Sequence, residues 1–202
     1  MVYLDQAATS FPKLDVVKQA VMDALEVAGN ANRSSNMDSS RLIFEARRNI
    51  ARFFGLSDFH RVILNGGNTE SLNTCIKGIL KEKDHVITTY AEHNSVLRPL
   101  YELEEKGVIS LTICSPYLKD IKNHIRNNTR MVIMTHSSNV TGEIFDVDLI
   151  GKYCKESDIL FMVDAAQSAG HIPVSMGNID VLCFSGHKGL LGIGGIGGFC
   201  VK

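Results

Sequence analysis

Seven short runs rich in Val, Ile and Phe recur along the chain, at residues 62–64, 85–89, 110–114, 131–135, 159–164, 181–185 and 198–201, mostly with helical stretches between them. Near-continuous apolar runs have no polar face to show to water, so such strands are buried on both sides. Strands alternating with helices pair in parallel. The pattern therefore predicts a three-layer α/β/α domain around a mainly parallel seven-stranded sheet, with the last strand antiparallel. Helices are expected at 14–27, 38–54, 69–81, 96–106 and 147–156. In the second, Leu42, Ala46, Ile50 and Phe53 repeat at helical spacing and predict an apolar face turned into the core. Right-handed crossovers place helices on both faces, so a ligand is expected outside the carboxyl ends of the strands.

Length bounds the domain count. The 202 residues are read as one large domain over 14–202, preceded by an N-terminal arm, 1–13, that carries no clear periodicity and lies outside the sheet. A formal net charge of −1, with both signs mixed along the chain, offers no electrostatic footprint for nucleic acid or an anionic membrane. Asp5 follows closely on Met1, no leader pattern is visible, and no apolar run is long enough to span a bilayer. A cytosolic location is expected. The five cysteines, Cys75, Cys114, Cys154, Cys183 and Cys200, have no CxxC spacing and fall mostly in apolar patterns, which predicts buried reduced thiols. His136 and His171 have no cysteine or carboxylate at ligand spacing, so no metal site is expected.

The polar residues of interest stand where strands end. Asn65-Gly66-Gly67-Asn68-Thr69-Glu70 joins the first strand to a helix, whose free N–H groups suit a phosphate. Asn68 or Thr69 would serve equally as a plain helix cap. Asp164 closes the apolar run Phe161-Met162-Val163, where a buried carboxylate needs a partner such as a protonated ring nitrogen, or else caps the next helix. His93 follows the second strand and can stack on a flat ring. Asn139 lies in the turn Ser138-Asn139-Val140-Thr141-Gly142, where turn chemistry alone accounts for it. Ser185-Gly186-His187-Lys188 follows Val181-Leu182-Cys183-Phe184, and an amine at the end of a buried strand has its pKa lowered, which makes it a nucleophile toward an aldehyde. Together, a phosphate cradle, an acid, a stacking ring and a lysine are the parts needed to bind pyridoxal 5'-phosphate. The glycines Gly192-Ile193-Gly194-Gly195-Ile196-Gly197 match GxGxxG by spacing, but a strand and not a helix follows. A turn beside the lysine explains them better than a dinucleotide site.

With these residues in place, the sequence resembles the class V aminotransferase family of fold-type I pyridoxal phosphate enzymes, and within it the cysteine desulfurases and selenocysteine lyases. Its carriers are Tyr3-Leu4-Asp5-Gln6-Ala7-Ala8-Thr9, Gly67-Asn68-Thr69-Glu70, Glu92-His93, Ser138-Asn139-Val140-Thr141-Gly142, Val163-Asp164-Ala165-Ala166-Gln167 and Ser185-Gly186-His187-Lys188. The resemblance implies that Lys188 forms the Schiff base and later moves protons at the substrate α-carbon, with Asp164 on the pyridine nitrogen. It implies that His93 stacks on the ring and serves in acid–base steps, and that Gln167 bonds the phenolic oxygen. Asn68, Thr69, Ser185 and His187 would hold the phosphate, and Asn139 would sit near the ring and the substrate carboxylate. The implied substrate is L-cysteine or selenocysteine. The implied assembly is a homodimer with a sulfur-acceptor protein as a further partner. The resemblance also implies a longer chain, in which the nucleophilic cysteine, a substrate-carboxylate arginine and most of a small C-terminal domain lie outside these residues. Two departures stand out. The phosphate turn reads Gly67-Asn68-Thr69 where many desulfurases have Gly-Thr-Thr, and residues 30–36 lack a histidine often found there.

Overall fold

The computed structural model describes residues 2–27 and 37–202. The reading of residues 30–36 lies outside the described residues. Each expected strand is present: β1 (Val62–Asn65), β2 (Asp84–Thr89), β3 (Ile109–Cys114), β4 (Thr129–Thr135), β5 (Leu160–Asp164), β6 (Val181–Ser185) and β7 (Gly197–Val201). They form one sheet in the order β1-β7-β6-β5-β4-β2-β3. The pairs β2–β3, β2–β4, β4–β5 and β5–β6 are parallel. β7 runs antiparallel to both β6 and β1, as expected of the last strand. Because β7 is reversed between them, β1 and β6 point the same way. The carboxyl ends of the first six strands therefore share one edge.

Side chains on successive strand residues point to opposite faces, and the two cores follow that parity. Ile87, Val132, Met134, Phe161, Val163 and Leu182 pack on one face. Val86, Met131, Ile133, Met162 and Cys183 pack on the other. Helices α3 (Asn68–Ile79) and α4 (Asn94–Glu105) cover the second face through Leu72, Ile76, Val96 and Leu100. Helices α5 (Leu118–Asn123) and α6 (Val147–Glu156) cover the first through Ile121, Ile150 and Cys154. This is the three-layer arrangement, with α5 an addition to the expected helices. At six residues it is too short to show an apolar period.

Helix α2 (Asp38–Phe53) corrects one expectation. Its Leu42 and Phe53 are 49% and 51% exposed, and its one fully buried residue is Ala51. The face was read as core because its spacing is right. β1 is an edge strand, however, and a helix beside an edge is covered on one flank only. Ala46, Ile50 and Phe53 instead line an open apolar groove of about 500 Å³ with Leu64, Phe184 and Ile196. Helix α1 (Asp15–Leu25) buries no residue at all, and the segment before it is held by hydrogen bonds to the turn after β6 rather than by the sheet.

Phe161, fully buried at the centre of β5, is a sensitive probe of this packing. Phe161→Ala is expected to lower stability by about 3–5 kcal/mol, measured as a shift of the urea midpoint at unchanged m-value.

Candidate active site

Parallel strands deliver their last residues to one edge, and loops leaving that edge enclose a cleft. It is lined by Asn68, Thr69, His93, Ser95, Thr135, Ser137, Asn139, Asp164, Ala166, Gln167, Ser185 and Lys188. Eight of the nine residues singled out in the sequence meet here. The enclosed part measures about 60 Å³ and shares Thr69, His93 and Ser95 with a depression of about 450 Å³ that opens beside it. The larger apolar groove at α2 has no ionisable side chain in its lining, which makes it unsuited to acid–base work.

Each side chain has a local cause. Gly67, at the N-cap of α3, has φ 145°, a conformation that disfavours any side chain. This turn starts α3 just past β1, with its first N–H groups at the strand ends. Asn68 is used differently from the phosphate role expected of it. Its Nδ2 donates to Asp164 Oδ1 at 2.9 Å, and its Oδ1 is buried without a partner. The Ala166 N–H also donates to Asp164 Oδ1, at 2.8 Å, which leaves Oδ2 for a ligand. Burial pushes the Asp164 carboxyl up, against the Ala166 and Asn68 bonds and the positive charges of Lys188 and His93. Burial pulls the Lys188 amine down, and Asp164 partly restores it. An amine of lowered basicity beside a buried carboxyl with one oxygen free of protein partners is a pair suited to a cationic ring.

His93 caps α4, its Nδ1 accepting from Ser95 N–H at 3.1 Å. Ser95 Oγ lies 2.8 Å from His93 Nδ1 and 2.8 Å from Thr69 Oγ1, so a hydroxyl chain joins the histidine to the start of α3. Ser95 escaped the sequence reading. Its one available signal is its place two residues after His93, in the first turn of a helix. The ring of the predicted His187 turns to the arm, where its Nδ1 lies 3.1 Å from Thr9 Oγ1. Its carbonyl accepts from Ser10 N at 2.9 Å and from Lys13 Nζ at 3.2 Å. Gln167 lines the cleft, and its Nε2 donates to the Ala7 carbonyl at 3.0 Å. The arm is thus bonded to two of the loops that carry site residues.

Glu92 was also unforeseen as a functional group. Its Oε1 accepts from Thr89 Oγ1 at 2.7 Å and from Thr135 N at 2.9 Å, joining the ends of β2 and β4 beside His93. Its Oε2 is buried without a partner. Burial pushes this carboxyl up to about 8, opposed by the two hydrogen bonds and helped by the Asp164 charge.

Compared with known proteins, the sequence matches the aminotransferase class-V family over residues 2–202. The chain belongs to the class V aminotransferase family. Members of this family and the cysteine desulfurases use pyridoxal 5'-phosphate. Curated relatives include cysteine desulfurase IscS of Buchnera aphidicola subsp. Schizaphis graminum, 37% identical over 219 residues, covering 100% of this chain and 53% of the relative. IscS of Plasmodium falciparum is 34% identical, covering 99% of this chain and 39% of the relative. The apo cysteine desulfurase of Thermococcus onnurineus superposes with a TM-score of 0.90 at 32% identity, covering 100% of this chain and 53% of that one. SspA in complex with cysteine superposes at 0.89 with 29% identity, covering 100% and 61%. The chain spans about half the length of the curated relatives it matches. The residues present fit the family cofactor. They offer a buried acid with a free oxygen, an amine of lowered basicity, an exposed imidazole and an open helix start.

Glu92 makes stability depend on pH. Its folded pKa of about 8 lies above the ordinary 4.5 of the unfolded chain, so the folded state keeps a proton that the unfolded state releases. Stability of the cofactor-free chain is therefore expected to fall as pH rises from about 4.5 to about 8, and Glu92→Gln to flatten that fall, measured by urea denaturation across the range.

Proposed function

We propose that this chain is the cofactor-binding domain of a pyridoxal phosphate-dependent cysteine desulfurase-like enzyme, which takes sulfur from L-cysteine and releases L-alanine. The observation that carries the reading is that Lys188 and Asp164 line the same cleft and act on each other's charge, each with its pKa displaced by burial. When bound, the cofactor supplies an electron sink for the pair released at the substrate α-carbon. Lys188 Nζ would hold the cofactor and then move the proton at that carbon. Asp164 would present Oδ2 to the ring nitrogen, its other oxygen being fixed by Asn68 and Ala166. His93, exposed at the mouth and held by Ser95, would cover the ring and exchange protons with the substrate. Thr69, Ser185 and the N–H groups at the start of α3 would take the phosphate, joined by His187 once its ring gives up Thr9. Gln167 would reach the phenolic oxygen after giving up its bond to Ala7, and Asn139 would contact the substrate carboxylate.

The choice of cysteine rests on the desulfurase relatives and on the bound cysteine named for SspA. Selenocysteine, with the same skeleton, is the alternative substrate. All five cysteines of this chain are buried, so the thiolate that receives the sulfur would come from elsewhere in a longer protein. In that reading residues 1–13 are an arm, 14–202 the large domain, and a smaller domain completes the site. A homodimer and a sulfur-acceptor protein would be its assembly partners. Among the described residues no helix is long and apolar enough to cross a membrane. Five free thiols also suit a reducing cytosol.

The test is an absorbance spectrum of the chain with pyridoxal phosphate, before and after borohydride. A visible band that borohydride abolishes, with the reduced cofactor recovered on the Lys188 peptide by mass spectrometry, is expected. Lys188→Ala should show neither. A folded chain lacking both signals would leave a non-catalytic binding module as the better account. For the longer protein, alanine release from L-cysteine is expected, and conversion of bound cofactor to its amine form would instead indicate transamination.

A further inference from the structure

At the far edge of the sheet, Cys114 ends β3, and Asp120 and His124 stand one turn apart along α5 and its C-cap. Strands β4 and β2 separate this group from β5, where Asp164 lies. One ligand atom from each residue, a thiol sulfur, a carboxylate oxygen and an imidazole nitrogen, falls within 4.8 Å of the others. We propose that Cys114, Asp120 and His124 bind one zinc ion, with water as the fourth ligand.

The donor set argues for zinc among common cations. Calcium and magnesium take oxygen ligands, whereas thiolate with imidazole and carboxylate suits zinc in a tetrahedral arrangement. The charges also balance, since one thiolate and one carboxylate cancel a dication. Supporting bonds are already in place. His124 Nδ1 lies 2.9 Å from the Asp120 backbone carbonyl, a contact that sets the ring beside the carboxylate of the same residue. Ser115 N–H donates to Asp120 Oδ2 at 2.8 Å, which holds the carboxylate with Oδ1 3.7 Å from His124 Nδ1. Pre-oriented ligands of this kind are what the surroundings of a metal site provide.

Closing the triangle from 4.8 Å to the spacing of a tetrahedral site, about 3.5 Å, falls to the half-exposed Asp120 and His124 side chains, while Cys114 stays buried. Binding is Cys–SH + Asp⁻ + His + Zn²⁺ giving the complex and one H⁺, with no change of oxidation state. The metal would clamp the last turn of the edge strand to the helix that follows it. The spacing Cys114-x5-Asp120-x3-His124 matches no familiar zinc pattern, which is why the sequence alone did not show it.

Cobalt(II) is the probe, because a cysteine thiolate on cobalt gives a near-ultraviolet charge-transfer band and tetrahedral ligands give intense visible bands. The cofactor-free 202-residue chain is expected to bind one Co²⁺ with both features and to lose them on adding Zn²⁺. Cys114→Ser should abolish the charge-transfer band, while Cys154→Ser, a buried thiol elsewhere, should retain it. His124→Ala, at a half-exposed position where folding is safe, should weaken Co²⁺ binding about tenfold or more. A folded wild-type chain with no thiolate–cobalt band, or a band that survives both Cys114→Ser and His124→Ala, overturns the site.

Discussion

The carboxylate of Asp164 sets conditions that the surrounding structure has to meet. It lies at the end of a central strand, is 3% exposed, and is surrounded by apolar layers on both faces of the sheet. An isolated charge there would be prohibitive, so it is held by the Asn68 amide and the Ala166 N–H and faces the Lys188 amine. Three loops from separate strands therefore converge on one oxygen pair. Glu92 adds a second buried acid, which joins the strand ends on either side of the point where the chain reverses its direction of sheet growth. The Asp164 charge adds to the burial that pushes the Glu92 carboxyl up. A bound cationic ring would relieve Asp164 first, because that acid retains a free oxygen in the cleft.

Lys188 depends on the reversal of β7. The chain leaves β6, makes a compact turn in which Gly192 N–H donates to the Gly186 carbonyl at 2.7 Å, and returns antiparallel between β6 and β1. The turn packs against the loop after β5 at Gly170 and Gly189, where a methyl group on either would strike the other loop's backbone. The glycines near the lysine are thus a matter of close approach, and the GxGxxG spacing among them is coincidental. β7 also lies directly over the turn before α3, so the amine and the open helix start are positioned by a single strand.

Much of the fold was legible in the sequence because burial on both faces leaves a strong signature. Runs such as Met131–Thr135 and Phe161–Asp164 allow hardly any reading except a central strand, and the polar residue that ends each run stands at the edge where the cleft lies. What escaped had weak or misleading periodicity. α5 is too short to repeat, and its Asp120 and His124 acquire a partner in Cys114 only through the β3 turn. The apolar spacing of Leu42, Ala46, Ile50 and Phe53 is real, but it carries no information about what lies opposite, and an edge strand leaves that face half open. Ser95 has a chemical meaning only once α3 and α4 are seen side by side.

Alternation of apolar runs and helices, together with polar residues placed at the strand ends, was enough to determine the layer architecture and the edge of the sheet at which those polar residues gather. These are local properties, written in residues close together in the chain. The tertiary structure alone decided that Asn68 serves the Asp164 carboxylate, that His187 and Gln167 are engaged by the N-terminal arm, and that Glu92 is sealed from water. Each of those depends on distance between segments remote in sequence, and hydrogen bonding and desolvation act only across distances that folding creates.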